Sequence, residues 1–324
     1  MPRSLLVFGN GLGMSLDPNY FNLTAGLAYA WDDDDIFSPE HRRLVSSAIP
    51  GVDLESYPRG EAQLDKLQMA LVASDFLQAF EIEGVQWLTA QSRQLPNAFR
   101  RYIHAVATYF HSSQQSLPET FVAALAGYLE ETKSHVALLN YDNLLYDALR
   151  DQGILRGYSG SLLDGFHADG FSPDHLDRKN TLRHGWYLHL HGSPLFVNNH
   201  KVMGNEREFL NPTEQCHIVL THIQHKRSII DKSPILSEYW KRLRKALTEA
   251  RQVVLFGYSG EDIHLNETIA ANCDGKPVFI VEWAGAGMPE DRQRYWSSRL
   301  AGVAIDLVAM DNILDFRDWN HLTV

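Results

Sequence analysis

Five short apolar runs restrict this chain to very few folds. They are Ser4–Phe8, His135–Leu139, Trp186–Leu190, Gln252–Phe256 and Val278–Val281. Each stops at a small or polar residue: Gly9, Asn140, His191, Gly257 and Glu282. A strand covered on both faces reads as a continuous apolar run, whereas a half-covered strand alternates. The runs therefore predict an α/β fold with a Rossmann-like parallel sheet. Open sheets of this kind bind ligands at the carboxyl ends of their strands, so the five endings predict one crevice.

No strand signal separates the first run from the second. Instead Leu64, Leu67, Leu71 and Phe80 follow helical spacing, as do Phe99, Ile103, Val106 and Phe110. Glu119–Lys133 reads as another helix, with Pro118 suited to its first turn. The expected organisation is a single domain, 1–324. Its core is 1–49 and 135–324, with a helical insertion over 50–134. Residues 155–185, rich in Gly, Ser, Asp and His, read as a long loop. Ile235–Ala250 reads as an amphipathic helix through Tyr239, Leu243 and Leu247. The acidic run Asp32–Asp35 reads as a solvated loop.

The formal net charge of −11 argues against non-specific nucleic-acid binding and against docking on an anionic membrane. It leaves room for an anionic cofactor held by backbone amides. The two cysteines, Cys216 and Cys273, build neither a disulfide framework nor a four-cysteine zinc site. Leu5–Phe8 is too short for a signal sequence or a membrane span. A cytoplasmic protein without bound metal is expected.

Chemistry concentrates where the runs stop. Gly9-Asn10-Gly11-Leu12-Gly13-Met14-Ser15 gives a turn whose backbone can approach a pyrophosphate. Its spacing is not that of the dehydrogenase fingerprint GxGxxG. Asn140-Tyr141-Asp142 either caps a helix starting near Leu144 or presents polar groups to a ribose or a water. In His189-Leu190-His191-Gly192-Ser193 the two histidines are expected on one strand face. A His-x-His pair is a zinc motif, but no third ligand follows at metal spacing. A lone imidazole held by a glycine turn is instead a candidate general base. Gly257-Tyr258-Ser259-Gly260-Glu261-Asp262 is a further small-residue turn before a helix containing Ile263 and Ile269. Glu282 either accepts hydrogen bonds from ribose hydroxyls or is merely solvated.

In this order the blocks resemble the SIR2-like family: Gly9-Asn10-Gly11, then Asn140-Tyr141-Asp142, then His191-Gly192-Ser193, then Gly257-Tyr258-Ser259 with Asp262. The tyrosine in the second block resembles the bacterial members that consume NAD+ in anti-phage defence. The resemblance implies an NAD+ hydrolase that releases nicotinamide. Asn140 would position water and the ribose hydroxyls, and His191 would take a proton. Asp142 would contact the carboxamide. Gly9, Gly11 and Ser259 would cradle phosphates, with Asn10 in the same turn and Gly257 beside Ser259. Glu282 would meet the adenosine ribose. The alternatives are a non-catalytic module that binds NAD+ or ADP-ribose, an ADP-ribosyl transferase and a deacylase. Two departures bear on these. The four-cysteine module of the deacylases has no counterpart, and Gly13 stands where the family places a serine. Gating by a regulatory or sensor subunit, or by homo-oligomer assembly, is expected, because free hydrolysis of NAD+ would harm the host.

Overall fold

The computed structural model describes residues 3–49, 56–79, 88–179, 182–202, 216–221, 223–320 and 322. Strand β1 (Ser4–Phe8) is followed by a short helix α1 (Gly11–Met14) and by α2 (Leu23–Asp32), α3 (Pro39–Ala48), α4 (Glu61–Ala79), α5 (Ala90–His111) and α6 (Glu119–Thr132). Next come β2 (His135–Leu138), α7 (Leu144–Asp151), β3 (Leu162–Leu163), β4 (Phe166–His167), β5 (Gly170–Phe171) and β6 (Gly185–His189). The remainder is β7 (Gly192–Val197), β8 (His200–Lys201), β9 (Cys216–Ile218), α8 (Ile223–Lys232), α9 (Pro234–Glu249), β10 (Gln252–Phe256), α10 (Ile263–Ala270), β11 (Val278–Trp283), α11 (Pro289–Arg299) and β12 (Ile305–Met310).

Seven strands form one sheet in the order β12-β11-β10-β1-β2-β6-β3, and every neighbouring pair in it is parallel. The five apolar runs are its five inner strands. From β1 the chain builds outward through β2, β6 and β3, then returns to add β10, β11 and β12 on the other side. The order reverses between β1 and β10, where open α/β sheets place their ligands. Leu5, Leu6, Val7 and Phe8 are fully buried, as are Val253 to Phe256, which is why neither strand alternates. Phe8, Phe256, Phe121 of α6 and Trp319 close one side of this centre, with ring centroids 5.3–6.2 Å apart. One hydrophobic cluster runs from Leu5 to Leu322 and takes in the helices between β1 and β2.

Those helices begin at Leu23, and α2, α3 and α4 all pack on α5. On α5, Phe99, Ile103, Val106 and Phe110 form the buried stripe, and on α4 Leu64, Leu67 and Leu71 do so. Phe80 lies outside the described residues. Pro118 is the cap of α6 rather than its first residue. In the acidic run, the Asp33 carboxylate accepts the amides of Asp35 and Ile36, and Asp34 pairs with Arg42.

The reading of 155–185 as one long loop is incomplete. The segment contains β3, the β4–β5 hairpin and a helical turn at Pro173–Leu176. Two-residue strands carry too little periodicity to register. Beyond β6 the chain leaves the main sheet for a small antiparallel one, β8-β7-β9. Gly192 makes that departure feasible. Its φ is +82°, and a Cβ there would lie 1.6 Å from the carbonyl oxygen of His217. Among the described residues no helix is long and apolar enough to cross a membrane.

Candidate active site

The turns after β1 and β10 pack backbone against backbone. Gly9 N donates to Phe256 O at 2.9 Å, and Gly11 N donates to Gly257 O at 2.8 Å. A Cβ on Gly9 would sit 2.6 Å from Tyr258 Cα, and one on Gly11 would sit 2.6 Å from both Gly257 Cα and Gly257 O. Gly257 itself has φ +57°, a conformation costly for any residue with a Cβ. The glycines read from sequence as a phosphate cradle thus have a prior task, the joining of two strand ends. Gly13 has its own reason: a Cβ there would be 2.6 Å from the Phe21 ring. The serine that the family places here would not fit. Ser15 lines the crevice nearby. Asn10 is exposed, and its Nδ2 donates to Phe21 O at 2.9 Å.

From the next strand Asn140 reaches into the same knot. Its Nδ2 donates to Gly9 O at 3.1 Å, while its buried Oδ1 has no hydrogen-bond partner among the described residues. Two residues on, Asp142 Oδ1 accepts the amide of Leu144 at 3.1 Å at the start of α7. The N-cap position of α7 is Asn143, whose side chain makes no capping bond; Asp142 supports the helix start from one residue earlier, and Asn140 does not cap it. Burial pushes the Asp142 carboxyl up to about 6, against hydrogen bonds from the Leu144 amide and the Asn140 side chain that pull it down.

His191 follows β6. Its Nε2 lies 2.8 Å from Asp262 Oδ2. Asp262 also caps α10, with Oδ1 accepting the Leu265 amide at 3.0 Å. Burial alone would raise the Asp262 carboxyl. The hydrogen bond and charge of His191, the charge of Lys226 and the Leu265 amide together hold it well below the usual carboxylate range. An ionised carboxylate only accepts, so Nε2 carries the ring proton and the lone pair of the neutral imidazole lies on Nδ1.

His189 does not share this environment. Its ring packs among Tyr146, Tyr187 and Phe196, and neither nitrogen has a hydrogen-bond partner among the described residues. Burial, with the charge of Lys201 added, holds it neutral far below its ordinary range. The two histidines diverge because the strand ends at His189 and the glycine turn redirects the chain after His191. Among the described residues no group of three or more His, Cys, Asp or Glu side chains is placed to hold a metal ion.

Glu282 is neither past the strand end nor solvated. It lies within β11, is 7 % exposed, and is gripped by Arg292 through Nε at 2.9 Å and Nη2 at 2.6 Å. Trp296 Nε1 donates to the same carboxylate at 2.9 Å. Ser259 is exposed, and its carbonyl accepts the Tyr295 hydroxyl at 2.7 Å.

All nine residues singled out from sequence line one cavity of about 980 Å³ at the carboxyl ends of β1, β2, β6, β10 and β11. That is the size of a large cofactor site. The structure adds Lys226, Glu61 and Arg292 to its wall, and gives Asp262, in the sequence only part of the fourth block, a place there. Asp262 had a signal, since an acid directly before an apolar helical run is a cap. Lys226 had none, because its partners are remote in sequence.

A family model described as a SIR2-like domain matches residues 134–301, just over half of the chain. The chain belongs to the SIR2-like family. The match runs from the start of β2 to the end of α11, and so takes in Asn140, His191 and Asp262 but not the Gly9–Gly11 turn. SIR2-like domains bind NAD+, and membership is compatible with an NAD-dependent activity. No curated protein matches the chain at a significant level.

One stability effect follows from Asp142. Its folded value lies above the ordinary 3.8, so the folded state binds the proton more tightly than the unfolded chain does. Ionising it costs nothing below the ordinary carboxylate range, progressively more as pH rises, and the full amount above about 6. That amount is on the order of 3 kcal/mol. Asp142→Asn should therefore melt several degrees above the parent protein at slightly alkaline pH, with the gap closing as pH falls into the carboxylate range. Equal melting temperatures at alkaline pH would show that the carboxylate carries no such cost.

Proposed function

We propose that this SIR2-like chain is an NAD+ glycohydrolase, acting as a gated effector in anti-phage defence. The observation that carries the reading is the meeting of Asn140, Asp142 and the Asp262-oriented His191 in one crevice. They come from two strand ends, those of β2 and β6, and the site is built where the sheet order reverses.

The scissile bond joins C1′ of a ribose to a pyridinium nitrogen. On cleavage its electron pair returns to the ring, which departs as neutral nicotinamide. The sugar left behind is oxocarbenium-like, and water completes the hydrolysis. Three tasks fall to the protein. Asn140, anchored through Nδ2, offers Oδ1 to a ribose hydroxyl or to the incoming water. His191 takes the proton at Nδ1, while Asp262 fixes the tautomer and stabilises the charged ring that results. The Asp142 carboxylate accepts from the carboxamide –NH2. Glu282 enters already neutralised by Arg292, so a ribose hydroxyl at that end shares the carboxylate with a cation.

Gating is part of the proposal, through a regulatory or sensor subunit or through self-assembly. The purified chain alone should release little nicotinamide. The test is incubation with NAD+ and separate quantification of nicotinamide and ADP-ribose, with and without lysate from phage-infected cells. Equimolar products in the activated sample are the expected result. NAD+ binding without either product, under every activating condition, would replace the hydrolase reading with that of a binding module. Full turnover by the isolated monomer would remove the gating.

A further inference from the structure

Lys226 is an unusual residue to find in this wall. It is 6 % exposed, and an ammonium buried so far is stable only with good partners. It has two, from different parts of the chain. Nζ lies 3.1 Å from Glu61 Oε2 at the first residue of α4, and 3.4 Å from Asp262 Oδ2. The latter is the same oxygen that His191 Nε2 meets at 2.8 Å. One turn along α4, Asp65 pairs with His225 at 2.8 Å. Helix α4 is thus clipped to α8 by two adjacent side-chain contacts, and the one through Lys226 continues to the imidazole.

We propose that Lys226 positions the Asp262–His191 pair, and that Glu61 couples the placement of helix α4 to the readiness of that imidazole. The inference rests on the reading of His191 as the base, and it names how that site is regulated. The signs of the neighbouring charges set the direction. Asp262 alone would favour the protonated imidazole, which cannot act as a base. A cation on the same oxygen offsets part of that field and keeps the ring available. Glu61 in turn offsets the cation, so drawing α4 away leaves more of the lysine charge facing Asp262. Movement of α4, by a partner or by assembly, would retune the base without touching it.

The test reads the His191 ring directly by NMR titration in protein without NAD+, with its signal assigned from a His191→Gln sample. Lys226→Met should raise the titration midpoint by about one pH unit, the size of effect a nearby charge produces. Glu61→Gln should lower it by a smaller amount, and Lys226→Arg should leave it near the parent value. The other ionisable groups lining the crevice, Tyr141, Asp142, Tyr258, Glu261, Glu282, Arg292 and Asp311, and the adjacent Asp65–His225 contact are common to all variants, so the differences isolate Lys226 and Glu61. A purely structural lysine would lower the melting temperature without these opposite shifts. Should Lys226→Met fail to fold, Glu61→Gln decides alone. An unmoved or raised midpoint there overturns the coupling. Opposite shifts in a protein that never releases nicotinamide would keep the relay and discard the hydrolase.

Discussion

Alanine at His191 lowers nicotinamide release by the activated protein on the order of a hundred- to ten-thousand-fold, the usual contribution of a general base, and leaves the fold standing. Removing the partner of a buried charge normally strands that charge at high cost. Here Asp262 keeps Lys226 at 3.4 Å and the Leu265 amide at 3.0 Å, so no orphaned charge results and melting should fall by only a few degrees. Asn140→Ala should lose turnover on a similar scale. It forfeits the hydrogen bond to Gly9 O and the one to the Asp142 carboxyl, each worth about 1 kcal/mol of stability, together with the Oδ1 that meets the substrate. NAD+ affinity should weaken less than turnover in both variants, because the other crevice walls are unchanged. Asp262→Asn adds a sharper probe. Its amide can donate to Nε2 and move the ring proton to Nδ1, which removes the base while preserving shape. The measurements are nicotinamide release, calorimetric NAD+ affinity and a melting curve. A folded His191→Ala protein with parental turnover would end the assignment.

The sheet was legible because its inner strands are covered on both faces, which leaves an uninterrupted apolar run for each. Edge strands lose that signature. In β12, Asp306 and Ala309 are exposed, so the run is broken where solvent reaches it. β3 is two residues long and draws its stability from β6 rather than from its own pattern. The site was legible to the extent that function is written at strand ends. Asn140 and His191 each follow an apolar run directly, with Asp142 two residues after the first, and the sheet order then brings them together. Partnerships could not be read. Nothing in the sequence near Lys226 says that it faces Asp262 and Glu61, since all three elements meet only through tertiary packing. Glu282 fails for the same reason. Whether an acid at a strand end is solvated, free or clamped depends on Arg292, and α11 delivers that residue from the following segment. The histidine pair shows the limit of spacing arguments, because alternation holds only while the strand continues.

A single methyl group at Gly11 should damage both the fold and the crevice. In the parent structure the added Cβ would lie 2.6 Å from both Gly257 Cα and Gly257 O. These are backbone atoms, so no side-chain rotation relieves the overlap. The two turns must separate, which breaks the 2.8 Å hydrogen bond from Gly11 N to Gly257 O. It also strains the Gly9 carbonyl that anchors Asn140. Overpacking of a tight interior costs about 1–3 kcal/mol, and the lost hydrogen bond adds about 1 kcal/mol. Gly11→Ala should therefore melt well below the parent, and its NAD+ affinity and turnover should fall together, unlike those of His191→Ala. Gly257→Ala should behave alike for a different reason, since its φ of +57° disfavours any Cβ by about 1–2 kcal/mol. Thermal melts beside calorimetry separate the two explanations for the glycine turn. If Gly11→Ala melts like the parent yet binds NAD+ poorly, the glycine serves the approach of a phosphate and not the packing of Gly257. If stability and binding fall in step, the joining of β1 to β10 is what the glycine protects, and the crevice depends on it.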